Sequence, residues 1–270
     1  GEKLPANVPL RFGLIDIASH PRVLNGVGVP LAVGLTNAAG FDAAMAVGYA
    51  GATGWFFLNG GPQGNRLSPG HGQIVRVLNL VRRDADIKEI EAALKLDVAL
   101  SYKLLRYINS AGFGLPVEIQ SFRHAVTMLG YDNLNKWLSL LLVTASKQPG
   151  ASAIMQAAIA RGRFMEQVGH VFFDKSEYDN LFITGAFSLL NVLLGTSMEA
   201  VLGEMHLPDS ITSALTGQGG VYKPFLDLAR SCEDDPKLLA RQAESLGLDF
   251  QTINRAQLSA VSFADTLQAD

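Results

Sequence analysis

The chain has 270 residues, 48% of them hydrophobic and 17% charged, with a mean hydropathy of +0.20. That composition excludes a disordered chain and a small disulfide-stapled fold, and the length permits one large domain or two modest ones. With 22 Lys and Arg against 25 Asp and Glu, and no basic block, nucleic acid is not an expected partner.

A single cysteine, Cys232, fits neither a disulfide framework nor a zinc site and suits a reducing cytoplasm. The most apolar windows, Trp137 to Ala145 and Leu181 to Gly195, fall short of the roughly 18 residues that a membrane-spanning helix needs. The start of the chain shows no basic region followed by an apolar core. The expected location is therefore cytoplasmic, with no membrane partner.

In chain order, composition divides the sequence. Residues 1–72 hold 14 of the 27 glycines and 6 of the 11 prolines, and residues 59–70 are dense in turn formers. The predicted domains are an α/β segment over 1–66 and a helical domain over 67–270. In the first, Phe12 to Ile17, Leu31 to Leu35 and Gly54 to Leu58 read as buried parallel strands, and Ala38 to Ala50 as a crossover helix. Asp16 ends the first strand, where parallel α/β proteins place active sites, and is the one carboxylate there that draws notice.

Beyond residue 70 the apolar period becomes helical. Ile74, Val75, Leu78 and Val81 share a face, and Asp86 with Glu89 reads as a capping signal for the next helix. Asp97 is suited to cap a helix carrying Leu100, Leu104, Leu105 and Ile108. Ser121 begins one that ends at Gly130, and Asp132 begins another through Trp137 and Leu141. Further helices are predicted over 152–172, 177–194, 223–231, 236–245 and 250–267, with Pro236 in a first turn.

Catalytic patterns are sparse. The five histidines include no His-Glu-x-x-His, and only His170 and Asp174 have the four-residue spacing of a shared helix face. Gly26 and Gly28 lack the third glycine of a dinucleotide loop, no Walker loop or Gly-x-Ser-x-Gly elbow occurs, and Cys232 beside an acidic run has its thiolate disfavoured. No metal and no cofactor are expected.

The stretch from Leu96 to Gly114, followed by Ile119 to Gly130, resembles the signature of the HDOD domain, a helical relative of HD phosphohydrolases. Phe182 to Gly195, with Met198 to Leu202 and Leu207-Pro208, resembles the subgroup in which HDOD follows a degenerate EAL domain. In metal-dependent HD relatives, the helix matching Gly185 to Asn191 would carry a His-Asp dyad. Here Ser188 and Leu189 stand in those places and cannot replace an imidazole and a carboxylate as ligands.

The N-terminal segment is similar to the last third of an EAL cyclic-di-GMP phosphodiesterase: Phe12 to Asp16, Ala32 to Thr36 and Thr53 to Phe57 match three of its strands. Its lysine, two glutamate and glutamine places are Leu14, Val33, Thr36 and Thr53.

The fold expected from these resemblances is mainly α, an HD-like HDOD bundle preceded by a small α/β remnant of an EAL-type barrel. The function they imply is a non-catalytic signal-transduction module, not an enzyme, acting through a protein partner. Asn109, Ser110, Phe113 and Gly114 are the candidate interaction positions, because a glycine-flanked aromatic after a helix end forms a local knob. Alternatives are a cyclic-di-GMP or nucleotide receptor without turnover and a residual phosphohydrolase. Because three strands cannot close a barrel, a homodimer covering the sheet edge is also expected.

Overall fold

The computed structural model describes residues 11–23, 28–56, 69–96, 109, 119, 121–144 and 151–266. The chain divides into two compact units, Gly1–Gly61 and Pro62–Asp270, so the break falls inside the turn-rich stretch 59–70.

In the first unit, β1 (Phe12–Asp16), β2 (Val29–Val33) and β3 (Gly51–Ala52) form a parallel sheet in that order, with Ile15 opposite Ala32 and Ala32 opposite Ala52. Helix α1 (Ala38–Ala46) joins β2 to β3, capped by Asn37, whose side chain accepts from the Gly40 amide at 2.9 Å. Ile15, Ala32, Ala44 and Tyr49 make the core, and the Tyr49 hydroxyl donates to the His20 carbonyl at 2.7 Å.

Three expectations need correction. The third strand lies at Gly51–Ala52, not at 54–58, because Gly54 at φ 118° turns the chain out of the sheet. Positions 57 and 58 lie outside the described residues. The crossover helix stops at Ala46, not residue 50, with Gly48 at φ 97° just beyond it. Strand β2 runs 29–33, not 31–35, and Gly34 at φ 81° follows it directly.

The second unit is helical, and it matches the expected periodicity over most of its described length. Helix α2 (Pro69–Arg82) buries Ile74, Val75, Val77, Leu78 and Val81. Past its end, the Asp84 amide donates to the Val81 carbonyl and the Ala85 amide to the Leu80 carbonyl, a Schellman arrangement with Asp84 at φ 52° where glycine is usual. Asp86 caps α3 (Ile87–Lys95), accepting from the Lys88 amide at 2.8 Å.

Helix α4 (Phe122–Thr144) starts at Ser121, whose hydroxyl accepts from the His124 amide. The two helices expected here are continuous apart from a kink at Gly130, φ 74° and ψ 173°. The expected helix carrying Leu104 and Leu105 lies outside the described residues.

Helices α5 (Ala151–Gly169) and α6 (Lys175–Phe187) pack closely. Glycines set their distance: a Cβ on Gly185 would sit 2.6 Å from the Gly162 nitrogen, and one on Gly162 would sit 2.7 Å from the Phe182 carbonyl oxygen. The expected helix 177–194 is broken at Ser188 and Leu189. It resumes as α7 (Leu190–Leu194), which Gly195 ends at φ 63°.

Helices α8 (Met198–Gly203) and α9 (Asp209–Leu215) were not read from the sequence, being too short to show a period. Helices α10 (Lys223–Asp234), α11 (Pro236–Ser245) and α12 (Phe250–Thr266) follow, with Asp235 capping α11 through the Lys237 and Leu238 amides. On α12, Ile253, Ala256, Ala260 and Ala264 are buried at helical spacing, and this small-residue stripe lets it lie against α5.

Candidate functional site

The place where an HD dyad would stand is a closed junction of α5, the α6–α7 break and α10. Ser188 follows the last turn of α6 and is buried. Its hydroxyl donates to the Gly185 carbonyl at 2.6 Å and accepts from Arg161 Nη1 at 2.9 Å. Leu189 is buried beside it.

Arg161, itself buried, grips Glu233 of α10 with both remaining edges: Nε to Oε1 at 2.5 Å and Nη2 to Oε2 at 2.6 Å. The guanidinium fork is the geometry that best repays burying two charges. Ser188 thus anchors an arginine at the position where the sequence resemblance would put a metal ligand. Among the described residues, no group of three or more His, Cys, Asp or Glu is arranged to hold a metal.

A second charged cluster lies across α4, α5 and α6. Lys136 pairs with Glu166 and, at 3.1 Å, with Asp179, and its ammonium sits 4.8 Å from the centre of the Phe182 ring. Arg163 Nη1 donates to Glu166 at 2.7 Å. Burial raises the Asp179 pKa, against the pull of Lys136.

Asp16, at the end of β1, accepts from the Ala18 amide at 3.0 Å and the Ser19 hydroxyl at 2.9 Å, so its carboxylate shapes the turn that leaves the strand. His170 and Asp174 do not share a helix face, because α5 ends at Gly169 and Asp174 precedes α6. The His170 ring instead lies 4.2 Å from that of Tyr178. The Cys232 thiol is pushed up to about 11, first by burial and then by Glu233.

Of the four candidate interaction positions, Asn109 is described. Its side-chain amide clasps Ile119, Nδ2 donating to the Ile119 carbonyl at 2.8 Å and Oδ1 accepting from its amide at 2.7 Å. Ser110, Phe113 and Gly114 lie outside the described residues.

The sequence reading missed an exposed apolar patch at one end of the helical unit. Val171, Phe172 and Val221 are 70%, 41% and 57% exposed. Beside them in the chain lie packed rings, Phe172 edge-on to Phe225 at 5.2 Å and Phe173 edge-on to Tyr222 at 5.7 Å. Three glycines at positive φ, Gly217, Gly219 and Gly220, shape the loop that carries Val221. No periodic signal marks the patch, since both of its segments lie outside helices.

The HDOD domain family matches residues 71–195, so the chain carries an HDOD domain there. Over 199 residues the chain is 30% identical to the cyclic di-GMP phosphodiesterase CdgJ of Vibrio cholerae serotype O1, covering 72% of this chain and 45% of that one. Over 176 residues it is 26% identical to the uncharacterized protein YuxH of Bacillus subtilis, covering 64% and 43%. The chain therefore spans less than half the length of each of these relatives. No solved structure gives a significant match. Among the described residues, no helix is long and apolar enough to cross a membrane.

The expectation that the chain is not an enzyme is overturned by the first relative, which is named a phosphodiesterase. That expectation rested on the loss of chemical groups within this chain, at Ser188, Leu189, Leu14, Val33 and Thr36. The activity in the relative's name belongs to a whole protein of which the aligned stretch is 45%.

Proposed function

We propose that the chain is a signal-transduction part of a cyclic-di-GMP pathway, and that its helical domain acts by docking the protein machinery that hydrolyses this nucleotide. The observation that carries the reading is the patch of Val171, Phe172 and Val221. Apolar side chains exposed beside a packed aromatic cluster support a surface for another protein. The relative's name supports the choice of pathway. Tyr222 stiffens the cluster: its hydroxyl donates to the Glu177 carboxylate, and burial pushes its pKa up to about 12.

The test compares cyclic-di-GMP hydrolysis by the full protein that carries this chain with that of its Val171→Glu and Val221→Glu variants. The expected result is a change in rate of at least about fivefold, the low end of typical coupling between sites, with an unchanged melting temperature. Equal rates in all three proteins contradict the reading.

A further inference from the structure

Five buried side-chain polar atoms among the described residues have no hydrogen-bond partner, and three of them belong to residues lining one cleft: Arg82 Nε, Arg82 Nη2 and Asn135 Oδ1. The cleft has a volume of about 460 Å³, within the range of small-molecule sites. Asp84, Tyr131, Asp132 and His206 also line it.

Hydrogen bonds tie down the backbone around it. Asn79 of α2 holds the chain leading to His206 with both ends of its amide, Nδ2 to the Glu204 carbonyl at 2.8 Å and Oδ1 to the His206 amide at 3.0 Å. The Tyr131 hydroxyl is engaged with the Ala85 carbonyl at 2.8 Å, which holds the end of α2 against α4. Asp84 stands in the left-handed region as the cap that ends α2, which fixes the backbone at this edge of the cleft.

Among the described residues Arg82 has no carboxylate partner, although Asp84 and Asp132 line the same cleft. Burial lowers its pKa to about 10, so it stays a cation at neutral pH. Its Nε and Nη2 edge is a donor fork that calls for two acceptors side by side. Asn135 Oδ1 and the two carboxylates call for donors.

A bare oxoanion satisfies only the fork, leaves Asn135 Oδ1 unmet and is repelled by both aspartates. Adenine places one acceptor and one donor on its outer edge and cannot fill the fork. Guanine carries O6 and N7 as adjacent acceptors, the pair that arginine takes bidentately, and N1–H and N2–H₂ as donors on the next edge.

We propose that this cleft binds a guanine base, with Arg82 on O6 and N7 and Asn135 and Asp132 receiving the N1–H and N2–H₂ donors. In this structure the Nε and Nη2 edge of Arg82 and Oδ1 of Asn135 are shielded from water, so binding turns both side chains to present them. The same base is offered by a guanine mononucleotide and by a cyclic dinucleotide. The proposal stands apart from the docking reading, because titration reads nucleotide binding while the hydrolysis comparison reads protein contact.

The test is isothermal titration of the chain with GMP, cyclic-di-GMP, AMP and inorganic phosphate. At least one guanine probe is expected to bind, with AMP weaker by about tenfold or more and phosphate giving no heat, in line with the discrimination of one bidentate pair. Binding of both guanine probes identifies the base alone as the determinant. Binding of cyclic-di-GMP alone identifies the dinucleotide. Arg82→Lys keeps the charge and removes the fork, and it is expected to weaken the guanine probe about tenfold. Asn135→Leu, which removes an unmet buried acceptor without changing size much, carries the same expectation and keeps the test available if the arginine variant does not fold. Failure of both guanine probes to bind, equal binding of AMP or phosphate, or wild-type affinity in the folded variants overturns the proposal.

Discussion

The junction at Arg161 and the cleft at Arg82 each hold an arginine turned away from water, and they differ in what meets it. Arg161 has Glu233 on two nitrogens and Ser188 on the third. Arg82 has no acceptor on Nε or Nη2. A buried donor left unmet costs about 1 to 3 kcal/mol, more when charged, so a fold that keeps one calls for an explanation. The comparison teaches that one arginine is fully met by its own fold, while the end of α2 carries buried polar atoms that the described residues do not meet.

The largest expected effect comes from breaking the closed side. Glu233→Ala leaves Arg161 buried and uncompensated, and urea unfolding is expected to show a loss of about 3 to 5 kcal/mol. A loss below about 1 kcal/mol would show that water reaches the junction.

Gly185→Ala drives a methyl group into the backbone of α5 and is expected to cost about 3 kcal/mol or more, because neither helix has a flexible side chain to yield. A wild-type melting temperature would mean that the two helices separate easily.

Cys232 lies next to Glu233 in sequence, and its raised pKa makes a kinetic prediction. At pH 8, about one thiol in a thousand is ionised if the pKa is about 11, so alkylation by iodoacetamide is slow and rises with pH up to that value. Labelling at the rate of free cysteine would place the thiol in water.

The smallest effect belongs to the open side. Arg82→Met removes a cation without a partner and is expected to leave unfolding free energy unchanged within about 0.5 kcal/mol or raise it. A large loss would reveal an acceptor that the structure does not show.

Local signals were legible in the sequence and distant ones were not. Asp86 and Ser121 announce helix starts because the amides they accept from lie two or three residues away. Gly130 marked a real interruption, although the helix resumes beyond it. The break at Ser188 was hidden within an apolar run, since it is held by the Gly185 carbonyl and by an arginine 27 residues earlier.

Glu233 looked like part of a solvated acidic run, and only the fold brings it to an arginine 72 residues away. Asn109 looked like a helix stop beside an outward knob, while its amide clasps a backbone ten residues on. The cleft was illegible for a different reason. A sequence shows that Arg82 exists, and only coordinates show that two of its nitrogens are buried with no acceptor among the described residues.

The most direct measurement of the contrast is a two-dimensional NMR titration that follows the arginine Nε–Hε signals as GMP or cyclic-di-GMP is added. The account predicts that the Arg82 signal moves and saturates with the ligand, while that of Arg161, held by Glu233, stays in place. Movement of Arg161 with Arg82 unchanged would contradict it.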